Sequence, residues 1–206
     1  MLSISYTETQ IKAFLLYLSE LRKWNRAYNL TSLRTDTNIV IKHFLDSLLF
    51  LKVLPAHVRS VADIGSGAGF PGIPVKIMRP DLTVVLIEPS RKKALFLEHM
   101  QRTLCIEGVL VVNKRIEDVE GLLVDAAVTR ALFSVREFID KAERLLHDKG
   151  VLVLSKGPKI EEELRDLTIP AMERRDLILP FENSTRHLVI IRPAGARERG
   201  KRYNKN

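Results

Sequence analysis

The residues best suited to chemistry lie in one turn. Val61-Ala62-Asp63-Ile64 reads as a buried strand, and Gly65-Ser66-Gly67-Ala68-Gly69-Phe70-Pro71-Gly72 leads from it into a helix expected near Pro74. A proline is favoured in the first helical turn, where its missing N–H would have no partner anyway. Glycines let a ligand come close to the backbone, and the helix start offers unpaired N–H groups. The spacing admits two ligands. Gly65, Gly67 and Gly69 spell G-x-G-x-G, a form used for the methyl donor S-adenosyl-L-methionine. Read from Gly67, the same residues spell G-x-G-x-x-G, the dinucleotide fingerprint. The pattern alone leaves both open. Asp63 favours the donor, because a carboxylate just before the first glycine can meet the amino-acid end of a zwitterion. The dinucleotide register would also begin two residues further from the strand.

Further candidates follow other strand-like runs. Glu88 ends the second, where an acidic side chain can accept hydrogen bonds from both ribose hydroxyls of an adenosine. Asn113 to Asp118 follows the third: Ile116 can pack on the adenine ring, and Glu117 or its backbone can meet the ring edge. Arg130 ends the fourth, at the place that faces the transferred methyl in methyltransferases of this layout, and is the candidate positioning residue. No Asn/Asp-Pro-Pro-Tyr motif stands there, which argues against adenine N6 or glutamine-amide targets. A guanine N7 has a lone pair and no proton to lose, so its methylation needs alignment and no general base. No residue is singled out as a catalyst. His43 and Asp46 have a spacing open to metal ligation, but no third ligand is evident, so they read as helix-surface polarity and no metal is expected. Lys156-Gly157 can meet a phosphate or simply close a strand.

The elements that would position these residues divide at about residue 57. Residues 7–28 read as a helix, with Thr7 and Gln10 forming a capping box and Ile11, Phe14, Leu15, Leu18, Leu21 and Trp24 at helical spacing. A second helix runs from Thr37 to Leu54 and stops at Pro55. Lys12, Arg22, Lys23, Arg26, Arg34 and Lys42 lie on the opposite faces and read as a solvated face, with a nucleic-acid face as the alternative. Beyond residue 57, strand-like runs at Ser60–Ile64, Thr83–Glu88, Val109–Asn113, Ala126–Arg130 and Val151–Ser155 alternate with helical segments. That alternation predicts a parallel sheet covered on both faces. Arg174–Leu179 and His187–Ile191 have no helix between them and predict a closing antiparallel hairpin. The expected fold is therefore α/β and Rossmann-like: a seven-stranded, mostly parallel sheet with one antiparallel strand, plus an N-terminal helical extension. This is the layout of class I S-adenosylmethionine-dependent methyltransferases. The expected boundaries are 1–56 for the extension, 57–192 for the donor-binding domain and 193–206 for a tail.

Composition narrows the partners. The 206 residues carry a net charge of +8, with 46% apolar residues and a mean hydropathy near zero. Arg192 and the tail hold six basic residues against Glu198, a composition that does not order itself and that suits phosphate contact as well as solubility. No apolar run is long enough for a membrane helix, and the first residues lack the pattern of a secretory leader. The single cysteine, Cys105, suits a reducing cytoplasm, excludes an internal disulfide and reads as buried filler.

Several stretches together resemble the RsmG (GidB) family: Trp24 to Ser32, His43 to Leu48, Asp63 to Pro74, Arg115-Ile116-Glu117, Thr129-Arg130-Ala131, Ser155-Lys156-Gly157 and Arg186 to Ile190. The resemblance spans nearly the whole chain except the basic tail. It implies a cytoplasmic enzyme that methylates the N7 atom of one guanine near the decoding centre of 16S ribosomal RNA, with 16S RNA or the small ribosomal subunit as partner. It implies S-adenosyl-L-methionine as donor, S-adenosyl-L-homocysteine as product, and donor contacts at Gly65, Phe70, Ile116, Glu117 and Arg130. Phe70 stands where leucine is frequent, a change that keeps an apolar packing surface.

Overall fold

A computed structural model describes residues 4–130, 132–158, 160–165, 167, 169, 171–182 and 184–193. Helix α1, Glu8–Tyr28, starts at the capping box expected of Thr7 and Gln10 and ends at Asn29, whose φ of 49° stops the helix. Helix α2 consists of four contiguous pieces. Asp36–Ile39 is α-helical, Val40–Leu45 is a π-type turn, Asp46–Leu48 is α-helical again, and Leu49–Lys52 tightens to a 3-10 turn. Its cap is Thr35, whose side chain accepts from the Asn38 N–H.

The five parallel strands are β1 Ser60–Ile64, β2 Thr83–Ile87, β3 Val109–Val112, β4 Val124–Arg130 and β5 Leu146–Lys156. The hairpin of β6 Met172–Leu179 and β7 Ser184–Ile191 completes a seven-stranded sheet in the order β3-β2-β1-β4-β5-β7-β6. Only β7 runs against the rest, pairing antiparallel with both β5 and β6. Helices α3 Gly72–Met78, α4 Arg91–Thr103, α5 Val135–Ala142 and α6 Ile160–Leu164 lie between the strands.

Strand residues alternate between two cores. On one face, Val61, Val84, Leu86, Val128, Val153, Leu188 and Ile190 pack with residues of α1 to α4; on the other, Ala62, Ile64, Val85, Ile87, Leu152 and Leu154 pack with α5, α6 and Ile116. Right-handed crossovers explain this division. The helices entering β2 and β3 cover one face of the β1–β3 half, and those after β4 and β5 cover the opposite face. The first face of the β4–β5–β7 half therefore needs another cover, and Phe44, Leu49 and Phe50 of α2 belong to its core.

Three details differ from the sequence expectation. The buried ridge of α1 is Tyr17, Leu21 and Asn25, whereas Ile11 and Leu15 are 42% and 61% exposed. Those two line an open apolar groove of about 560 Å³ with Phe14, Phe44, Met78 and Phe181. Cys105 is exposed at a left-handed turn with φ 50°, because the chain reverses after α4 there and points the thiol outward. His43 and Asp46 are drawn inward, as described below. No helix of the described residues is long and apolar enough to cross a membrane. The tail from residue 194 onward lies outside the described residues.

Candidate active site

The sheet reverses direction of growth between β1 and β4, and the carboxyl ends of strands at such a switch point form a crevice suited to ligands. Gly65 is the first residue after β1, so the glycine series begins where the G-x-G-x-G reading places it. Gly65, Gly67 and Gly69 have φ of 72°, 60° and 98°, in the left-handed region that a side chain disfavours. The turn is tied down from several sides. The N–H groups of Gly65 and Ser66 donate to Ile87 O at 2.9 and 3.1 Å, and that of Gly69 donates to Ser66 O at 2.7 Å. Tyr17 of α1, fully buried, donates its hydroxyl to Ala68 O. A Cβ at Gly69 would lie 2.6 Å from that hydroxyl, whereas one at Gly67 would meet nothing closer than Gly65 O at 3.9 Å. The turn is therefore packed underneath and open above Gly67.

Glu88 follows β2 with only 4% of its surface exposed. One carboxylate oxygen accepts the Gly67 N–H and the other the Ser90 N–H, both at 2.8 Å. Each oxygen keeps a lone pair for a further donor. Asp63, at the end of β1, has no exposed surface. Its Oδ2 accepts the Gly72 N–H at 2.8 Å, and its Oδ1 has no hydrogen-bond partner among the described residues. Burial pushes its pKa up to about 7, against the lowering effects of the Gly72 N–H and of Arg130. Asp63 thus occupies the α3 N–H that a ligand was expected to use.

Arg130 ends β4 and turns toward α2. Its guanidinium donates to Lys42 O at 2.8 Å, to Asp46 Oδ2 at 3.3 Å and to His43 Nδ1 at 2.9 Å, and lies 5.3 Å from the centre of the Phe70 ring. Arginine only donates, so His43 Nδ1 is an acceptor and Nε2 carries the proton, donated to Thr31 Oγ1 at 2.7 Å. Burial and the neighbouring guanidinium lower the His43 pKa to about 3, leaving the ring neutral. The ring stacks on Phe70 at 4.3 Å. Asp46, 4% exposed, accepts Arg130 on one oxygen and Arg186 Nε of β7 on the other, at 3.0 Å. Burial raises the pKa of Asp46 despite both arginines, and lowers that of Arg130. His43 and Asp46 are therefore not helix-surface polarity. They are the interior scaffold of Arg130.

The remaining candidates lie apart from this cluster. Ile116, 5% exposed, packs in the second core after β3. Glu117 is exposed and pairs with Lys141. Lys156 is turned inward, donating to Phe133 O at 2.5 Å and Glu163 at 2.7 Å, because α6 brings a carboxylate over the end of β5. Sequence reasoning missed Tyr17, Arg186 and Leu132, whose side chain rests against Gly65. For Tyr17 a signal was available, since it lies one turn before Leu21 on the same helix face. For Arg186 its place in the matching stretch Arg186 to Ile190 was one, and for Leu132 there was none.

Asp63, the glycine turn, Glu88 and Arg130 thus converge at the end of β1, with α1 and α2 as their support. A family model described as GidB, rRNA small subunit methyltransferase G, matches residues 10–189. The chain belongs to that family. A ribosomal RNA small subunit methyltransferase G of Syntrophus aciditrophicus is 36% identical over 93% of this chain and 85% of its own. That of Neisseria meningitidis serogroup B is 34% identical over 92% of both chains. That of Nitrosococcus oceani is 36% identical over 95% of this chain and 92% of its own. Solved structures share the fold at lower identity. MtNAS in complex with MTA and tNA aligns with a TM-score of 0.59 at 14% identity, over 87% of this chain and 70% of that one. A ribosomal protein L11 methylase of Lactobacillus delbrueckii aligns with a TM-score of 0.52 at 17% identity, over 71% and 76%. Family membership removes the dinucleotide reading of the glycine turn.

Proposed function

We propose that this protein transfers a methyl group from S-adenosyl-L-methionine to the N7 atom of a guanine in 16S ribosomal RNA, in the cytoplasm. The carrying observation is membership of the methyltransferase family over residues 10–189. The residues of the crevice fit the donor. The turn is open at Gly67, Glu88 retains lone pairs for ribose hydroxyls, and Asp63 Oδ1 is a buried acceptor without a partner, suited to a cationic amine. Gly65, Phe70, Ile116, Glu117 and Arg130 would complete the donor contacts, with Gly67 and Gly69 shaping the turn. When bound, the donor supplies an electrophilic methyl on a sulfonium.

The protein's own contribution is orientation. Both nitrogens of His43 are engaged and the ring is neutral, while the Tyr17 hydroxyl is buried against Ala68 O. Neither is free to carry a proton to or from a substrate. A guanine N7 asks for none, and holding its lone pair in line with the methyl supplies the rate. Arg130 is fixed by α2 and faces Phe70, so the wall beside the methyl is rigid. The tail 193–206 adds phosphate contacts through its basic residues.

The test is transfer of labelled methyl to small ribosomal subunits lacking the modification, with mapping of the product base. A single N7-methylguanine in 16S RNA is expected. Transfer to another atom, or none despite donor binding, would overturn the substrate assignment.

A further inference from the structure

The carboxyl edge of the sheet carries basic residues that donor binding does not explain. Helix α4 opens with Arg91, Lys92 and Lys93, and the loop after β3 adds Lys114 and Arg115. Asn113 fastens the two loops together: its Nδ2 donates to Glu88 O at 2.9 Å and to Pro89 O at 3.1 Å. The five cations therefore form one rim beside Glu88. Lys93 is half-buried and the other four are exposed. Among the described residues, none of the five has a side-chain hydrogen bond or an ion pair.

This arrangement works against local stability. The positive end of a helix dipole favours carboxylates in the first turn, and α4 has none there. Three cations elsewhere in the fold are treated differently. There Arg59 and Arg79 share Asp81 at 3.8 and 2.8 Å, and Lys76 is buried on the carbonyl oxygens of Pro80 and Leu82. Arg59, Arg79 and Lys76 are thus neutralised there, as are Arg130 and Lys156 at the strand ends of the crevice, whereas the five cations of the rim have no such partner among the described residues. The donor gives no reason for this. S-adenosylmethionine carries no phosphate and is itself a net cation, so unpaired lysines beside its pocket repel it. A polyanion arriving at the same edge is the ligand whose charge they complement.

We infer that the rim of Arg91, Lys92, Lys93, Lys114 and Arg115 is the surface over which the RNA backbone runs beside the target base, on the Glu88 side of the crevice. The inference rests on the proposed RNA substrate. Its chemistry is phosphate contact: it sets register and affinity and reads no base.

Two variants of equal charge test it. Lys92→Ala/Lys114→Ala removes two rim cations. Arg102→Ala/Lys149→Ala removes two exposed cations from the end of α4 and the start of β5, at the opposite edge. RNA binding is measured across salt concentrations, with donor affinity by calorimetry and steady-state transfer on unmodified small subunits. The rim variant is expected to lower the slope of log affinity against log salt by about 1.4 to 1.8, to raise KM for RNA more than it lowers kcat, and to bind donor normally. The control is expected to keep the wild-type slope. Equal slopes for the two variants, or a rim variant with the wild-type slope, would overturn the inference. Absence of methyl transfer by the wild type would sink the proposed function instead, while the binding slopes would still decide the rim.

Discussion

Asp46 is the most informative residue to remove. Its two oxygens hold Arg130 and Arg186, and its side chain is 6% exposed against 16% and 20% for the arginines. Burial pushes Asp46 up and Arg130 down, so both charges are held in place at a cost in desolvation. Asp46→Leu would leave the Arg130 guanidinium buried without a carboxylate. Breaking a buried pair in this way costs about 3 to 5 kcal/mol. The lower end is expected because Lys42 O and His43 Nδ1 still accept from Arg130, and Arg186 can reach water. About 3 kcal/mol is a fall in Tm of roughly 6 to 12 °C in a chain of this size. Asp46→Leu/Arg130→Met removes both charges and should recover to within about 1 kcal/mol of the wild type, since buried pairs are often no better than apolar residues. Methyl transfer should be lost in both. Urea denaturation at neutral pH measures the cycle. A double variant no more stable than the single, or a single that loses under about 1 kcal/mol, would refute the view that this cluster serves geometry rather than stability.

Other outcomes follow from the glycine turn and its supports. The folded pKa of Asp63 is about 7, above the unfolded value of about 4, so its contribution is complete below pH 4 and is lost as the pH rises through 7. Stability measured from pH 4 to 8 should therefore decline more steeply for the wild type than for Asp63→Asn; parallel curves would contradict the assignment. Gly69→Ala puts a Cβ 2.6 Å from Tyr17 Oη and from Ile73 Cδ1 at a φ of 98°, and should cost about 2 kcal/mol or more by urea denaturation. Glu88→Ala releases the N–H groups of Gly67 and Ser90 and should weaken donor binding at least about tenfold in calorimetry, the equivalent of about 1.4 kcal/mol. Unchanged affinity would remove Glu88 from the donor site.

The sequence carries the fold well because its signals are local. Thr7 and Gln10 cap α1 as their spacing says, β1 occupies Ser60–Ile64 as read, and the hairpin after β5 closes the sheet with one reversed strand. The glycine turn and Glu88 were legible for the same reason, lying at strand ends that the apolar runs define. The polar cluster was not. His43, Asp46, Arg130 and Arg186 come from three separate elements, and only the docking of α2 against β4 and β7 brings them together. A helical His and Asp three residues apart look the same whether they face water or an arginine from a distant strand. Asp63 shows the complementary limit. Its type and place pointed to a ligand, while its geometry also assigns it to the Gly72 N–H.

The single hydroxyl of Tyr17, set against Ala68 O, makes the first helix and the glycine turn parts of one mechanical unit. A version of this enzyme trimmed back to residue 57 would lose the peg that holds the turn and the lid over half the sheet in the same cut. The coupling also runs forward. Whatever tilts α1 shifts the glycine turn with it, and whatever fixes the turn restrains α1 in return.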